Sequence, residues 1–249
     1  MKKLYQNDPS DMKLLAPWQR KALERFEAKI KDKEMPFPCI PATQGFAMNQ
    51  FRYGFAGDPR SDKAIEELGE LLAFYTESAK KYETYTSLLV FFETPFEVKE
   101  SLSTDQWEEL FWRQLKVLAQ IDEIEWPAQI PTDPHHPLWE FCYHGERYFM
   151  YCGTPSHKNR KSRHSEDYLL AITPRWVLEK FGKQEEYARK IRSQVRKRLE
   201  NYDSIDIHPA LNSYGNPENY EWKQYYLHDD DTALSKCPFH RNIKASKKI

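Results

Sequence analysis

The sequence predicts a single α+β domain with a mixed sheet of about five strands, about four or five flanking helices and a long irregular C-terminal segment. Two observations lead to this class. Helical apolar spacings and short strand-like apolar or aromatic runs are scattered along the chain, without the regular βαβ alternation of a parallel sheet. The 249 residues also contain no internal repeat, low-complexity tract or linker, and this length suits one large domain. We therefore expect one domain over residues 1–249.

Apolar residues at helical spacing predict the helices. Pro17 suits the first turn of the first helix, and Ser103 with Gln106 forms the capping-box pattern that opens the third. Gly182 separates the last two helices. In chain order the predicted helices cover residues 17–30, 62–81, 103–121, 175–181 and 184–199.

Short apolar and aromatic runs predict the strands at residues 50–55, 87–93, 138–143, 147–152 and 168–172. The third and fourth form the clearest hairpin, because His144-Gly145 joins them and glycine accepts a positive φ. Residues 35–41 hold three prolines and predict a stiff extended segment rather than a helix interior. Residues 200–249 are mostly irregular, with aromatic side chains expected as core or pocket wall: Trp222, Tyr225, Tyr226 and Phe239.

Composition and charge exclude several classes of protein. There are 37 Lys and Arg against 38 Asp and Glu, whereas a protein that coats nucleic acid or an anionic membrane needs a large cationic field. No apolar stretch approaches the roughly 18 residues of a membrane span, and the N-terminus turns polar at once, unlike a signal peptide. The expected compartment is the cytoplasm, where the four cysteines are expected to be free thiols.

Two polar clusters have both a functional and an ordinary interpretation. Six Lys and Arg residues between positions 189 and 198 could form a nucleic-acid surface, but apolar residues at four-residue spacing favour a solvated helix face. His135 and His136 beside Asp133 could hold a metal, but the neighbouring prolines favour a surface loop. The nucleophile-elbow, Walker, dinucleotide-binding and HExxH motifs are all absent, so those enzyme classes lack support.

The loop at residues 153–164, after the predicted hairpin, is more informative. It holds two imidazoles, which can ligate a metal or haem iron, and Arg160 and Arg163, which can pair with carboxylates or phosphates. The ordinary alternative is a solvated turn. Cys39 and Cys237 each lie beside proline and near an aromatic residue. A thiolate could ligate haem iron, and the alternative is a buried cysteine that packs as a small hydrophobe.

Seven short segments follow one another along the chain: Phe37-Pro38-Cys39, Phe51-Arg52-Tyr53-Gly54-Phe55, Asp133-Pro134 with Trp139-Glu140-Phe141, Pro155-Ser156-His157 with Arg160 and Arg163, Thr173-Pro174-Arg175, Glu221-Trp222-Lys223-Gln224-Tyr225, and Cys237-Pro238-Phe239. In this order they resemble the YqcI/YcgG family of bacterial proteins. The resemblance covers residues 35–240, most of the chain, and the shared order is not expected by chance.

The resemblance also implies a chemistry. Some members of the family are haem-dependent oxygenases that hydroxylate a guanidine nitrogen of arginine or related compounds, in the guanitoxin and cycloserine pathways. That branch carries Gly-Leu-His-Pro at the place where this chain has Gly153-Thr154-Pro155-Ser156, and His157 lies two positions beyond the histidine of that pattern. The implied cofactor is haem b, and the expected contacts are His157 as proximal iron ligand, Arg52, Arg160 and Arg163 at the propionates, and Cys39, Cys237 and Trp222 as further cofactor-binding residues.

The function that the resemblance implies is haem-dependent N-hydroxylation of a small guanidino or amino metabolite such as arginine. Dioxygen and an electron donor would be the co-reactants, and no nucleic-acid or membrane partner is expected. A cationic substrate needs a carboxylate partner, for which Glu140 and Asp58 are candidates. Two alternatives stay open: a haem carrier or sensor without catalysis, and a haem-free protein that binds a small molecule or a partner. The sequence does not determine the oligomeric state.

Overall fold

The computed structural model describes residues 2–82, 84–182, 185–212 and 219–239. Its centre is one five-stranded sheet in the order β1-β2-β5-β4-β3. The parallel pair β1 and β2 lies at one edge, and all other neighbours are antiparallel. The strands are β1 (Arg52–Ala56), β2 (Leu88–Phe92), β3 (Phe141–Tyr143), β4 (Glu146–Gly153) and β5 (Leu169–Pro174). The predicted α+β class and mixed sheet are confirmed.

The hairpin between β3 and β4 turns at the predicted pair of residues. His144 and Gly145 both have a positive φ, 51° and 74° respectively. Two successive residues in this left-handed region match the right-handed twist of the flanking strands. Glycine adopts this conformation freely, and histidine is among the residues enriched there.

The helices are α1 (Pro9–Met12), α2 (Pro17–Lys31), α3 (Ile40–Ala47), α4 (Asp62–Ser78), α5 (Phe96–Ser101), α6 (Thr104–Ile121), α7 (Arg175–Gly182), α8 (Glu185–Tyr202) and α9 (Trp222–Tyr225). The five predicted helices correspond to α2, α4, α6, α7 and α8, although the predicted start of the last, Gln184, lies outside the described residues. Ser103 caps α6: its Oγ accepts from the amide of Gln106 at 3.3 Å, and the Gln106 side chain accepts from the Ser103 amide at 2.9 Å.

Helix α3 was not predicted. The extended segment at residues 35–41 ends at Cys39, the N-cap of α3, and Pro41 lies in the first turn of the helix. A proline there removes no intrahelical hydrogen bond, because the first amides of a helix have no partner within it. The three prolines therefore predicted a segment without a helix, although Pro41 lies in the first turn of α3.

The two faces of the sheet carry separate hydrophobic clusters. On β2, Leu88, Val90 and Phe92 point to one face, and Leu89 and Phe91 to the other. The first, here called the α6 face, is covered by α4, α6 and the segment at residues 219–239. The second, here called the α2 face, is covered by α2 and α3. The aromatic side chains predicted for the irregular C-terminal segment, Trp222, Tyr225, Tyr226 and Phe239, are all buried on the α6 face.

The free edge of β1 is paired with residues near the N-terminus. Tyr5 and Tyr53 form an isolated antiparallel bridge, in which each amide donates to the other residue's carbonyl at 2.9 Å. Among the described residues, no helix combines the length and the apolar character that crossing a membrane requires.

Candidate functional site

The loop that follows β4 is folded back on itself. The amide of Thr154 donates to the carbonyl of Arg163, and the amide of Ser165 donates to the carbonyl of Thr154, each at 3.1 Å. This closure brings the first and last residues of the loop together and turns the His157 side chain inward, where it is 1% exposed. The loop is therefore an ordered structure, not the solvated turn of the ordinary interpretation.

Both ring nitrogens of His157 are hydrogen-bonded. Nδ1 lies 2.7 Å from Oγ1 of Thr154, and Nε2 lies 2.7 Å from the carbonyl oxygen of Leu227. A carbonyl only accepts, so Nε2 carries the hydrogen and Nδ1 accepts from the threonine hydroxyl. Burial lowers the pKa of His157 to about 4, and the ring is therefore neutral near pH 7. His157 connects the loop after β4 to the C-terminal segment.

Arg160 and Arg163 strengthen the same connection. Arg160 donates to the carbonyls of His228, Asp206 and Asp230 at 2.8–3.1 Å. Arg163 donates to the carbonyls of Tyr225 and Gln224, each at 2.9 Å, and its guanidinium lies 4.4 Å from the centre of the Tyr151 ring. These buried donors satisfy backbone oxygens of an irregular segment that has few regular partners. We call His157, Arg160 and Arg163 the latch.

The latch does not fit a haem in this arrangement. Proximal ligation needs an imidazole nitrogen with a free lone pair, and both nitrogens of His157 are engaged. The guanidinium groups expected at the propionates are directed at backbone carbonyls instead. Iron ligation by His157 and propionate binding by Arg160 and Arg163 stay predictions.

The other predicted cofactor contacts lie elsewhere. Arg52 stacks over the ring of Tyr82, 3.9 Å from its centre, and donates to the carbonyl of Phe51 at 2.7 Å. Cys237 and Trp222 are each 1% exposed in the core of the α6 face, and burial raises the pKa of the Cys237 thiol to about 12. Cys39 is exposed at the start of α3. The structure therefore does not bring the seven predicted residues into one site.

The histidine pair at residues 135 and 136 is the other candidate metal site from the sequence. Within the described ranges, no group of three or more His, Cys, Asp or Glu side chains is arranged to hold a metal ion. His135 beside Asp133 is exposed, in a surface loop. The ordinary interpretation of that histidine pair is therefore the better one.

An apolar cavity of about 470 Å³ lies on the α2 face, between α2 and the sheet. We call it the slot. Its walls are mostly aromatic and aliphatic and include Phe26, Phe37, Phe51, Phe91, Phe149 and Tyr151. Polar residues at its border include Arg25, Lys29, His164, Glu166 and Asp167. An apolar cavity with a few polar groups is typical of small-molecule and cofactor sites.

A second cavity, of about 870 Å³, lies next to the slot and is lined by residues of α7 and α8. We call it the chamber. The slot and the chamber share Cys39, Phe149 and Leu178 as lining residues, so the two are neighbours along the α2 face. Apolar side chains of α8 line one wall of the chamber, and Arg192 and Arg196 of the same helix also line it. Arg175 and Glu221 line another part.

Arg175 connects two buried carboxylates next to the chamber. Its Nε donates to Glu140 and its Nη2 donates to Glu221, and Arg147 donates to Glu140 from the other side at 3.2 Å. Glu140 is fully buried and Glu221 is 3% exposed. Burial, together with the charge of Glu140, raises the pKa of Glu221 to about 7, although the pairing with Arg175 opposes this. The charged form of Glu221 is therefore disfavoured at this buried position.

An acidic cleft of about 1020 Å³ lies on the opposite side of the molecule, between α6 and residues 228–234. His228 bonds through Nε2 to Glu108 at 2.7 Å, and this hydrogen bond raises the pKa of His228. The five carboxylates that line the cleft are Asp105, Glu108, Glu109, Asp229 and Asp230. Sequence reasoning identified neither this cleft nor the chamber, because each joins segments that are far apart along the chain.

The chain belongs to the YqcI/YcgG family: the family's sequence profile matches residues 26–240. It is 45% identical to YcgG of Bacillus subtilis (strain 168) over 225 residues, 90% of this chain and 89% of YcgG. It is 42% identical to YqcI of the same organism over 234 residues, 94% of this chain and 92% of YqcI.

A third relative carries the name of an activity. The "Putative N(omega)-hydroxy-L-arginine synthase DcsA" of Streptomyces lavendulae is 29% identical over 229 residues, 89% of this chain and 84% of DcsA. No solved structure matches the chain. The resemblance drawn from short motifs is therefore confirmed at the level of the family.

Proposed function

We propose that the protein N-hydroxylates a small guanidino compound such as arginine. The similarity to DcsA, over most of both chains, supports a reaction at a guanidino nitrogen. The observation that carries the proposal is the chamber, which places the buried carboxylate of Glu221 beside an apolar wall. A guanidinium group with a methylene chain requires that combination of surfaces.

Glu221 is the buried carboxylate that a cationic ligand in the chamber would meet. Glu221 and Glu140 share Arg175, and Arg147 divides its guanidinium between Glu140 and the half-exposed Glu179. Arg175 thus joins the two buried carboxylates, and Arg147 adds a second guanidinium at Glu140. A second guanidinium in the chamber would stabilise the charged form of Glu221, and the low local dielectric would strengthen that interaction.

The two carboxylates named as candidates from the sequence fit this role less well. Glu140 is fully buried, and Arg175 and Arg147 bind its two oxygens. Asp58 pairs with Arg60 in a bidentate arrangement at 2.6–3.2 Å. Glu221 is the better partner because it lines a cavity that has room for a substrate.

The reaction needs dioxygen and an external electron donor. One oxygen atom enters an N–H bond of the guanidino group, and the other leaves as water with two protons and two electrons from the donor. Haem b, which the family resemblance implies, is our prediction for the group that activates dioxygen. The protein's own contribution in the chamber is to orient the guanidinium through Glu221 and to exclude water with the apolar wall.

The test is oxygen-dependent product formation. The purified chain, supplied with hemin and a chemical reductant, is incubated with L-arginine under ¹⁸O₂, and the product is analysed by mass spectrometry. We expect a product that contains one labelled oxygen atom. No labelled product from arginine or from other guanidino compounds would overturn the proposal.

The binding role of Glu221 has its own test. Glu221→Gln keeps the shape of the side chain but removes its charge, and we expect the KM for arginine to rise about tenfold or more, as loss of a charge-assisted hydrogen bond predicts. Glu109→Gln, in the acidic cleft, is the matched control and should leave KM unchanged. The reverse pattern would place the substrate in the acidic cleft instead.

A non-catalytic binding protein is the second candidate, and the apolar lining of the slot favours it. Such a carrier or sensor would bind hemin, or another apolar molecule, without forming an oxygenated product from any guanidino compound. The same mass-spectrometric experiment separates the two functions.

A further inference from the structure

We propose that haem binds in the slot, not at the latch, and that Nε2 of His164 is the iron ligand. This inference rests on the haem cofactor of the proposed function. The family pattern has a histidine where this chain has Pro155. The inference concerns the place where this chain holds the haem instead.

The hydrogen bonding of His164 leaves the right nitrogen for a metal. Nδ1 lies 2.9 Å from the carbonyl oxygen of His157. Because a carbonyl accepts only, Nδ1 carries the hydrogen and Nε2 keeps its lone pair. Histidines that ligate metals commonly donate their other ring N–H to a backbone carbonyl in this way, which fixes the tautomer and the ring orientation.

The surroundings of Nε2 are compatible with a ligand. Oε1 of Glu166 lies 3.5 Å from Nε2, and the Glu166 side chain is 58% exposed and can move into solvent. His164 itself is 39% exposed and lines the slot. It thus differs from His157, whose two nitrogens are both bound to protein atoms in the interior.

The walls of the slot suit a flat aromatic molecule. Phe26 and Phe91 pack edge to face with their ring centres 6.0 Å apart, and Phe37, Phe149 and Tyr151 complete much of the lining. Aromatic side chains pack favourably against one another and against other π-systems in stacked or edge-to-face geometry. A porphyrin offers a large apolar π-surface to such walls.

The border of the slot carries cations that suit propionates. Lys29 lies on α2 and donates to the carbonyls of Lys161 and His164, at 2.9 Å and 2.5 Å. Arg25, one turn earlier on the same helix, pairs with Asp167 at 3.4 Å and is 38% exposed. Both residues line the slot, and an arginine or lysine that is partly exposed can turn to a carboxylate at little cost.

Haem in the slot would also lie beside the proposed substrate site. Phe149 and Leu178 line both the slot and the chamber, so a group in the first and a guanidino compound in the second would be neighbours. The cavity that His157 lines shares none of its described lining residues with the chamber. Two adjoining cavities on the α2 face would then hold the cofactor and the substrate.

Hemin titration of the full chain tests the ligand. We compare wild type with His164→Asn, whose amide can still donate to the His157 carbonyl but which lacks Nε2, and with His157→Ala. We expect His164→Asn to lose the absorption and electron-paramagnetic-resonance signature of imidazole-ligated haem and to bind hemin about tenfold or more weakly. Added imidazole should restore the signature in His164→Asn. His157→Ala should keep the wild-type signature.

A metal-free porphyrin tests binding in the slot separately from iron ligation by His164. Protoporphyrin IX, followed by its fluorescence, should bind wild type and His164→Asn equally, because its contacts are apolar and ionic. Ala171→Phe adds a ring at a wall of the slot, and we expect it to weaken both hemin and protoporphyrin IX about tenfold or more. Ala171→Ser, which hardly changes the volume, is the matched control.

Three results would overturn the inference. The first is an imidazole signature that persists in His164→Asn and is lost in His157→Ala or Cys39→Ser. The second is an unchanged hemin affinity in Ala171→Phe. The third is a wild-type chain that does not bind hemin. If it binds no hemin but still forms oxygenated arginine with another cofactor, the inference fails and the proposed function stands. If hemin binds through His164 and no guanidino product forms, the haem site stands and the proposed function fails.

Discussion

The two faces of the sheet differ in how completely they are filled. The α6 face buries four tryptophans, each at most 1% exposed, namely Trp107, Trp112, Trp139 and Trp222. The α2 face also carries aromatic residues, but they surround the slot and the chamber. Close packing stabilises a fold, whereas an apolar cavity leaves contacts unmade until a ligand supplies them. The comparison indicates that the protein's own side chains fill one face, whereas the other has room for a ligand.

The largest expected effect comes from substituting two neighbouring residues of β2, one on each face of the sheet. Phe92 points to the filled face and packs on Tyr168 with ring centres 5.0 Å apart, and Phe91 lines the slot. We expect Phe92→Ala to lower the free energy of unfolding by about 3–5 kcal/mol. Phe91→Ala should cost clearly less, because it enlarges an existing cavity. Urea denaturation measures both, and equal losses would contradict the contrast between the faces.

A pH effect of intermediate size should come from Glu221. Its pKa is about 7 in the folded protein, above the ordinary 4.5, so between those pH values the folded state holds a proton that the unfolded state releases. Stability from this group therefore falls as pH rises from about 4.5 to 7, by at most about 3 kcal/mol. The neighbours that face Glu221 are Glu140, Arg175 and Tyr225.

The comparison of wild type with Glu221→Gln isolates that contribution, since the other titrating groups are common to both. We expect the variant to show a flatter decline of unfolding free energy between pH 4.5 and 7, measured in urea at several pH values. Parallel pH profiles for the two proteins would show that Glu221 has an ordinary pKa.

The latch should contribute a smaller amount to stability. His157→Ala leaves the Leu227 carbonyl and the Thr154 hydroxyl without their buried partner, and we expect a loss of about 1–3 kcal/mol in the free energy of unfolding. His135→Ala, at an exposed position, is the control and should change little. A loss no greater than that of the control would show that the latch does not hold the C-terminal segment.

The smallest effect is expected on α8. Lys190 and Glu186 form an exposed ion pair at 2.9 Å, with side chains 67% and 71% exposed. We expect Lys190→Ala to change the unfolding free energy by less than about 0.5 kcal/mol, because solvent screens such pairs. A larger loss, measured by the same denaturation method, would show that Lys190 makes a stabilising interaction and is not simply solvated.

The local parts of the fold were predictable from the sequence. The strands, the His144-Gly145 turn and the cap of α6 depend on residues close together in the chain, and each was found within a few positions. Helix α3 was missed because Pro41 has opposite meanings inside a helix and in its first turn. Propensity alone does not distinguish the two positions.

The candidate site was predictable only in part. The polar residues of the loop after β4 drew attention to it, but one partner of His157 is Leu227, 70 residues further along the chain. The slot is lined by residues of α2 and of three strands, and Glu140, Arg175 and Glu221 meet only through the tertiary fold. Such long-range contacts leave no periodic pattern in a single sequence.

The bridge between Tyr5 and Tyr53 bears on how the protein behaves when crowded. An edge strand with open amides and carbonyls invites a neighbouring molecule to add to the sheet, which is a route to fibrils. Residues near the N-terminus occupy part of that edge in β1. Purification tags joined there, or shortened versions of the chain, therefore need to leave Tyr5 in place if the protein is to stay dispersed at high concentration.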